Sequence, residues 1–304
     1  MKIVIAGGTG FLGQLLTTSL AAAGHDVVIL TRNDHPSQGP GVRSVTWDLR
    51  RALAPWAEEL DGAHVVINLA GEPIADRRWS AAQKQRIEES RALATSRLVA
   101  AIAEVSRPPA LLLNGSAVGF YGHCGEVLVT EETGAGHDFL AGVCRRWEAQ
   151  AVMASSPNTR VVCLRTGLVL AGSGGALPKM LPPFRLGVGG RLGNGQQYWP
   201  WIHHQDWLSL VRFIIDTPAL VGPVNATAPN PVTNAEFTRE LGRALGRPTY
   251  VPVPRLALRI LLGEMADSML LSGQRALPVK AQQFGFRFTY PTVALALDAI
   301  LHHE

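Results

Sequence analysis

Cysteine, charge and long apolar runs are all scarce in this 304-residue chain, and each scarcity excludes something. Cys124, Cys144 and Cys163 are its three cysteines, an odd set with no Cys-x-x-Cys pair. That argues against a disulfide framework or a zinc knuckle and for a reducing compartment. His203 and His204 are adjacent, but no Cys or Glu completes a ligand set, so no metal site is expected. Charged residues make up 17% of the chain, and the basic ones gather into nothing longer than pairs such as Arg77-Arg78 and Arg145-Arg146. The net charge of +4 is therefore scattered, which excludes a nucleic-acid surface while suiting an anionic small-molecule substrate. No apolar run reaches the roughly 18 residues of a membrane span. Glycine interrupts the first apolar segment at Gly7, too early for a signal peptide. A cytoplasmic protein that touches neither membrane nor nucleic acid is the expectation.

What the chain does have is glycine, placed early. Lys2 to Ala6 is apolar and β-branched, as a buried parallel strand should be. Gly7, Gly10 and Gly13 follow, with Thr9, Phe11 and Leu12 between them, and a helical pattern runs on to Gly24. A strand, a glycine turn and a helix start form a dinucleotide-binding loop. The turn needs the first glycine, the pyrophosphate needs the second and close helix packing needs the third. A purely structural turn is the alternative.

The rest of the first half continues this pattern. A second strand over 26–30 ends at Thr31 and Arg32, where an NAD site would place an acid for the ribose 2′-hydroxyl. Arg32 would instead pair with the 2′-phosphate of NADP, although Asp34 lies close by. A third strand over 42–47 leads into Asp48, which can accept from the adenine amino group, and Leu49, which can pack on the ring. A fourth, over 65–68, ends at Asn68 and runs into Leu69, Ala70, Gly71 and Glu72, a stretch whose small residues would lie beside the glycine loop and let a cofactor pass. A long helix over 79–105 carries Arg86, Arg91 and Arg97 on its polar positions. Further strands are expected over 110–114 and 159–170. Strands alternating with helices predict an α/β fold, a Rossmann-type doubly wound parallel sheet of order 3-2-1-4-5-6, with a smaller α-rich C-terminal substrate or cap region. The expected division is 1–165 for the cofactor domain, its sheet continued by strands near 200–227, and 166–304 for the substrate and cap region, with 252–304 a small C-terminal domain.

Gly7-Gly-Thr-Gly-Phe-Leu-Gly13, Asn68-Leu-Ala-Gly71 and Ser116-Ala-Val-Gly-Phe-Tyr-Gly122 resemble the extended short-chain dehydrogenase/reductases. More narrowly the chain resembles their atypical "epimerase family" branch of nucleoside-diphosphate-sugar epimerases. Leu177 to Phe184, Trp201 to Asp206, Thr233 to Phe237 and Gly285 to Pro291 extend the likeness over essentially the whole chain. The resemblance implies a nicotinamide cofactor, a segment at Arg165 to Leu168 whose backbone meets the carboxamide, and pairing into a homodimer. The wider superfamily usually carries a Tyr-x-x-x-Lys relay as well, from which the atypical branch departs. Members of the superfamily set the lysine one helical turn from the tyrosine, on the same face, so that its charge lowers the phenol pKa for proton exchange. Here those positions are Leu140 and Cys144, and no Tyr-x-x-x-Lys occurs anywhere.

Ser116 and Tyr121 are the candidates to replace the relay, Ser116 orienting a substrate oxygen and Tyr121 exchanging the proton. His123 is a weaker candidate base, and Cys144 reads as a small buried hydrophobe. Residues 172–195 form a glycine-rich loop around Lys179, Arg185 and Arg191, cations that would meet an anionic group. Asp206 is expected to cap the helix after His203, and Thr233 with Glu236 to form a capping box. Asn225 would stand near the substrate. Two functions follow: an NADP-dependent oxidoreductase or epimerase on a small polar substrate, or a non-catalytic NADP-binding sensor or scaffold that has lost the relay.

Overall fold

A computed structural model describes residues 1–32, 39–49 and 55–303. Seven parallel strands form one sheet: β1 (Lys2–Ala6), β2 (Asp26–Thr31), β3 (Val42–Thr46), β4 (Val65–Asn68), β5 (Leu111–Ala117), β6 (Arg160–Thr166) and β7 (Gly222–Ala226). Their order is β3-β2-β1-β4-β5-β6-β7, the expected doubly wound arrangement with one strand added at the edge. Alternation along β1 feeds both faces. Ile3 and Ile5 pack on one side with Leu16 and Leu20 of α1 (Phe11–Ala22), and with Trp207, Leu210 and Ile214 of α5 (His204–Asp216). Val4 and Ala6 pack on the other, with Leu98 and Ile102 of α2 (Ala81–Glu104) and Ala151 of α3 (Phe139–Val152). Burial on both faces is why these strands read as apolar runs.

The strand expected over 159–170 breaks in two. A Cβ on Gly167 would lie 2.3 Å from the carbonyl oxygen of Pro200, so only glycine lets the chain pass there. Beyond it, Leu168–Leu170 leaves the sheet and pairs with Trp201–His203 in a separate ribbon. Further on lie α4 (Leu177–Arg185), α6 (Asn234–Leu245), α7 (Arg255–Leu262), α8 (Glu264–Met269), α9 (Val279–Gln283) and α10 (Val293–His302). α4, α6 and α10 close a second core on Trp199 and Trp201, through Leu177, Phe184, Phe237, Leu241, Leu297 and Ile300.

Caps settle where the helices begin. Ser80 Oγ accepts from Gln83 N, Asp138 from Ala141 N, and Thr233 with Glu236 forms the expected box. Asp206 is not a cap. His203 Nδ1 accepts from Gln205 N and starts α5, while the Asp206 carboxylate accepts from Thr289 N (2.8 Å) and Tyr290 N (2.9 Å). The strand gives way to α5 between His203 and His204, and their rings stack 4.6 Å apart. Among the described residues, no helix is long and apolar enough to cross a membrane.

Candidate cofactor groove and its buried polar wall

The glycine loop sits at the carboxyl end of β1, in the middle of the sheet. Gly7 has φ +84, and a Cβ there would stand 2.7 Å from the carbonyl carbon of Leu69. A Cβ on Gly13 would lie 2.3 Å from the carbonyl oxygen of Gly7, so the first turn of α1 packs directly on the loop. Gly10 differs: its imaginary Cβ meets nothing closer than 3.5 Å, which leaves open space outside the turn. α1 starts with no side-chain cap and no acidic residue in its first turn. Its amide N–H groups and positive dipole end therefore face that space, a cradle that fits a phosphate. Thr9 is held by Gln14, whose Nε2 donates to the Thr9 carbonyl oxygen. Phe11 lies under the glycine-rich loop: a Cβ on Gly174 would be 2.4 Å from its ring, and Leu12 packs into the core beside it.

The other expected positions lie at or just past the carboxyl ends of the neighbouring strands. Thr31 is buried and its carbonyl accepts from Trp47 N, while Arg32 is exposed at the end of β2. Asp34 lies outside the described residues. Asp48 and Leu49 follow β3 half-buried, and Arg97 Nε donates to the Leu49 carbonyl oxygen (3.0 Å). Leu69 and Ala70 lie beside Gly7, and Gly71 beside Arg91. Asn68 is beneath the groove rather than in it: its side chain is fully buried, donating to Asn114 Oδ1 (2.7 Å) and Thr95 Oγ1 (3.0 Å) and accepting from Ala70 N. It shapes the loop that a cofactor would cross. Glu72 is held by Ser90 Oγ at its N–H. Leu168 opens the ribbon just past Gly167.

Ser116 and Tyr121 are joined, but by a buried network rather than by an open site. Ser116 Oγ donates to Glu148 Oε1 (2.6 Å), and both carboxylate oxygens of Glu148 accept from Arg165 (2.8 Å each). Arg165 Nη1 donates onward to Tyr121 Oη (3.0 Å), which donates to Asn225 Oδ1 (2.7 Å). Asn225 N donates to the buried carboxylate of Glu131, and Phe120 covers the Arg165 guanidinium at 3.5 Å. Tyr121 is 3% exposed, and burial pushes its phenol up to about 12 despite the opposing pull of Arg165. Burial draws the Arg165 guanidinium down, yet its bonds to Glu148 outweigh this and hold it above its usual range. Cys144, at the lysine position, is buried, with its thiol pushed up to about 11. Asn225, expected beside a substrate, is the far end of this wall.

Arg91 departs from the expected polar face of α2. Polar by type, it occupies the stripe of Ile87, Ala94 and Leu98, the inward face of α2. Its Nη1 donates to the carbonyl oxygens of Glu72 (3.1 Å) and Ile87 (3.0 Å). The helical spacing alone would have found it. Glu131, the other missed residue, carries no such signal.

A cleft of about 680 Å³ opens between the loop after β5 and the C-terminal helices, lined by His123, Glu126, Arg191, Gln197 and Arg255 among others. Arg255 pairs with Asp267 (2.9 Å) and Lys179 with Asp76 (3.3 Å). Arg191 is exposed, with no carboxylate paired to it among the described residues.

A parallel sheet carrying an uncapped glycine-loop helix at its centre defines a dinucleotide-binding fold of the short-chain dehydrogenase/reductase type. The chain belongs to the NAD dependent epimerase/dehydratase family, whose model matches residues 3–226, and a domain of unknown function (DUF1731) matches residues 253–300. It is 43% identical over 296 residues to Epimerase family protein Mb2239 of Mycobacterium bovis, covering 97% of this chain and 96% of that one. Among solved structures, human epimerase family protein SDR39U1 (isoform 2) with NADPH superposes with a TM-score of 0.89 at 32% identity, covering both chains fully. A nucleoside-diphosphate sugar epimerase from Corynebacterium glutamicum gives 0.80 at 34%, over 100% of this chain and 59% of that one.

Proposed function

We propose that this protein binds NADP in the groove above Gly7, Gly10 and Gly13, and serves as an oxidoreductase or epimerase for a small, polar, anionic substrate. The open space outside Gly10, facing the uncapped first turn of α1, is the observation that carries the reading. Exposed Arg32 at the end of β2 favours the 2′-phosphate, and the NADPH in the human structure supports the same choice. Asp48 and Leu49 would take the adenine, and Leu69 to Gly71 with Leu168 the nicotinamide side. When bound, the cofactor supplies a hydride donor or acceptor. Arg191 in the cleft would hold the anionic group, and His123 and Glu126 are the titratable side chains there that can exchange a proton. A second reading, binding without turnover, draws its support from the hydroxyls of Ser116 and Tyr121, both committed to the internal network. A cytoplasmic homodimer is the working state in either reading.

The test is a fluorescence titration with NADPH and NADH. Wild type is expected to prefer NADPH, and Arg32→Asp to reverse the preference by at least tenfold, about 1.4 kcal/mol. Equal affinities in both proteins would remove Arg32 from the cofactor site. Absence of binding to either nucleotide would overturn the reading itself.

A further inference from the structure

Arg191 stands where two hollows meet. It lines the cleft of about 680 Å³ and a second hollow of about 290 Å³, and Pro252 is the other residue the two share. The chain on either side fixes its place: Gly190 bridges to Tyr250 and Leu192 to Val253, and Val253 N donates to the Arg191 carbonyl oxygen (2.8 Å). A Cβ on Gly190 would stand 1.8 Å from the Val251 carbonyl oxygen, so the two segments touch only because that residue is glycine. Arg191 thus holds an exposed guanidinium, unpaired among the described residues, beside residues 250–254. Those residues are mostly apolar. Tyr250 lines the second hollow and is 89% exposed, and Val251 beside it is exposed as well. Pro252, Pro254 and Leu271 carry apolar surface into the cleft itself. The chain then enters α7, whose Leu256 and Ile260 lie one turn apart on the same side at 69% and 65% exposure, while Leu258 is buried. Scattered singly, such side chains are ordinary; gathered along the edge of a cleft they mark a binding face. The cations of α7 do not serve that face. Arg255 Nη2 donates to Asp267 Oδ1 (2.9 Å) and Arg259 Nε to Asp267 Oδ2 (2.8 Å), so neither is free to meet an anionic lipid surface. An unpaired cation does border the apolar residues, Arg191, and it stands at the cleft.

We propose that the substrate is an amphiphilic anion: its charged head meets Arg191 in the cleft, and a hydrocarbon tail leaves over Tyr250, Val251 and Leu256. This rests on the reading of the cleft as the substrate site, with the polar, anionic group assigned there as one end of a longer molecule. Head site and tail surface are continuous through Arg191 and Pro252. A tail laid along this wall takes apolar surface of both partners out of water, a gain that grows with each methylene it covers. The head gains orientation from charge-assisted bonds to a planar guanidinium. A ligand polar at both ends, such as a nucleotide sugar, would leave the apolar wall wet.

The experiment measures dissociation constants of butyl phosphate, octyl phosphate, octylammonium and UDP-glucose for the protein mixed with NADPH, each ligand kept below its micelle-forming concentration. The proteins are wild type, Arg191→Gln and the double variant Tyr250→Ser with Leu256→Ser. Octyl phosphate is expected to bind wild type about tenfold or more tighter than butyl phosphate, and octylammonium more weakly than either. The double variant, altered only at exposed positions, should melt like wild type, keep butyl phosphate within about twofold and bring octyl phosphate to within about threefold of it. Arg191→Gln should weaken both phosphates by one factor, about fivefold or more. Equal affinity of the two phosphates in wild type overturns the proposal. So does a chain-length preference that survives in the double variant, and so does octylammonium binding as tightly as octyl phosphate, which would make the wall a general apolar docking face. UDP-glucose binding more tightly than octyl phosphate, and equally well in the double variant, would also overturn it. Failure of every anion to bind wild type would strike the reading of the cleft itself, and this proposal with it.

Discussion

Tyr121 Oη accepts from Arg165, donates to Asn225 and sits at 3% exposure, so its proton is held inside the protein. Replacing it with Phe removes one bond from a charged donor and leaves a buried amide oxygen short of a partner. That should lower stability by about 1.5–3 kcal/mol, read from a shifted denaturant midpoint. The pH profile of any turnover should not move, and a profile that loses its basic limb in Tyr121→Phe would return the phenol to the chemistry. Glu148→Ala should be harsher, about 3–5 kcal/mol, because it strands the buried Arg165 guanidinium without its carboxylate. If Glu148→Ala melts like wild type, the network is not what holds the wall. Residue type made Ser116 and Tyr121 look available. Their partners, Glu148, Arg165, Asn225 and Glu131, are brought together by sheet order and by the C-terminal return, which no local spacing announces.

Elements were the level at which the chain was most readable. β1, the glycine turn and α1 follow from apolar run, glycine spacing and helical period, and all three stand where they were expected. Gly13→Ala tests how tightly they fit. Its Cβ would intrude on the Gly7 carbonyl, so both thermal stability and NADPH affinity should fall, whereas Gly24→Ala, with open space around it, should leave NADPH affinity intact. What stayed hidden were close approaches, such as Gly167 against Pro200, which splits one strand into two. At the start of α5 a histidine serves where an aspartate is expected. That choice makes the helix start sensitive to acid. His203 is buried, stacked on His204 and Tyr290, and burial holds it down to about 3 from an ordinary 6.5. Near neutral pH both folded and unfolded forms are uncharged. As pH falls below 6.5 the unfolded chain takes up a proton that the folded one refuses, so stability drops with a slope of up to about 1.4 kcal/mol per pH unit. Denaturant midpoints at pH 7, 6 and 5 should show a steeper decline for wild type than for His203→Asn, which keeps the cap. Parallel declines would mean that His203 does not govern this range.

At the scale of the whole molecule, two cores divide the work. The sheet with its flanking helices presents the glycine loop, and the second core, built on α4, α6 and α10, backs the cleft. Leu297 is fully buried in that second core. Leu297→Ala should cost about 2–5 kcal/mol. NADPH affinity measured well below the melting temperature should stay within twofold, since Leu297 packs in the second core and the glycine loop's helix α1 in the first. A parallel collapse of binding would show the two cores to be one cooperative unit. Composition pointed to this apolar bulk, but which helices share a core depends on where the ribbon at 168–170 and 201–203 steers the chain, and that is set by packing.

The network around Tyr121 is also tied to the far end of the polypeptide. Asn225 Nδ2 donates to the Leu277 carbonyl oxygen, Lys280 N donates to Glu131, and Arg275–Ala276 pairs with Leu128–Val129. During synthesis, therefore, the sheet can assemble while the polar wall still lacks its last partners. Until Lys280 has cleared the ribosome, Glu131 and Asn225 have only water to bond with on that side. A chain that ended before Lys280 would thus have every residue of its cofactor loop and still lack the partners that complete its polar wall.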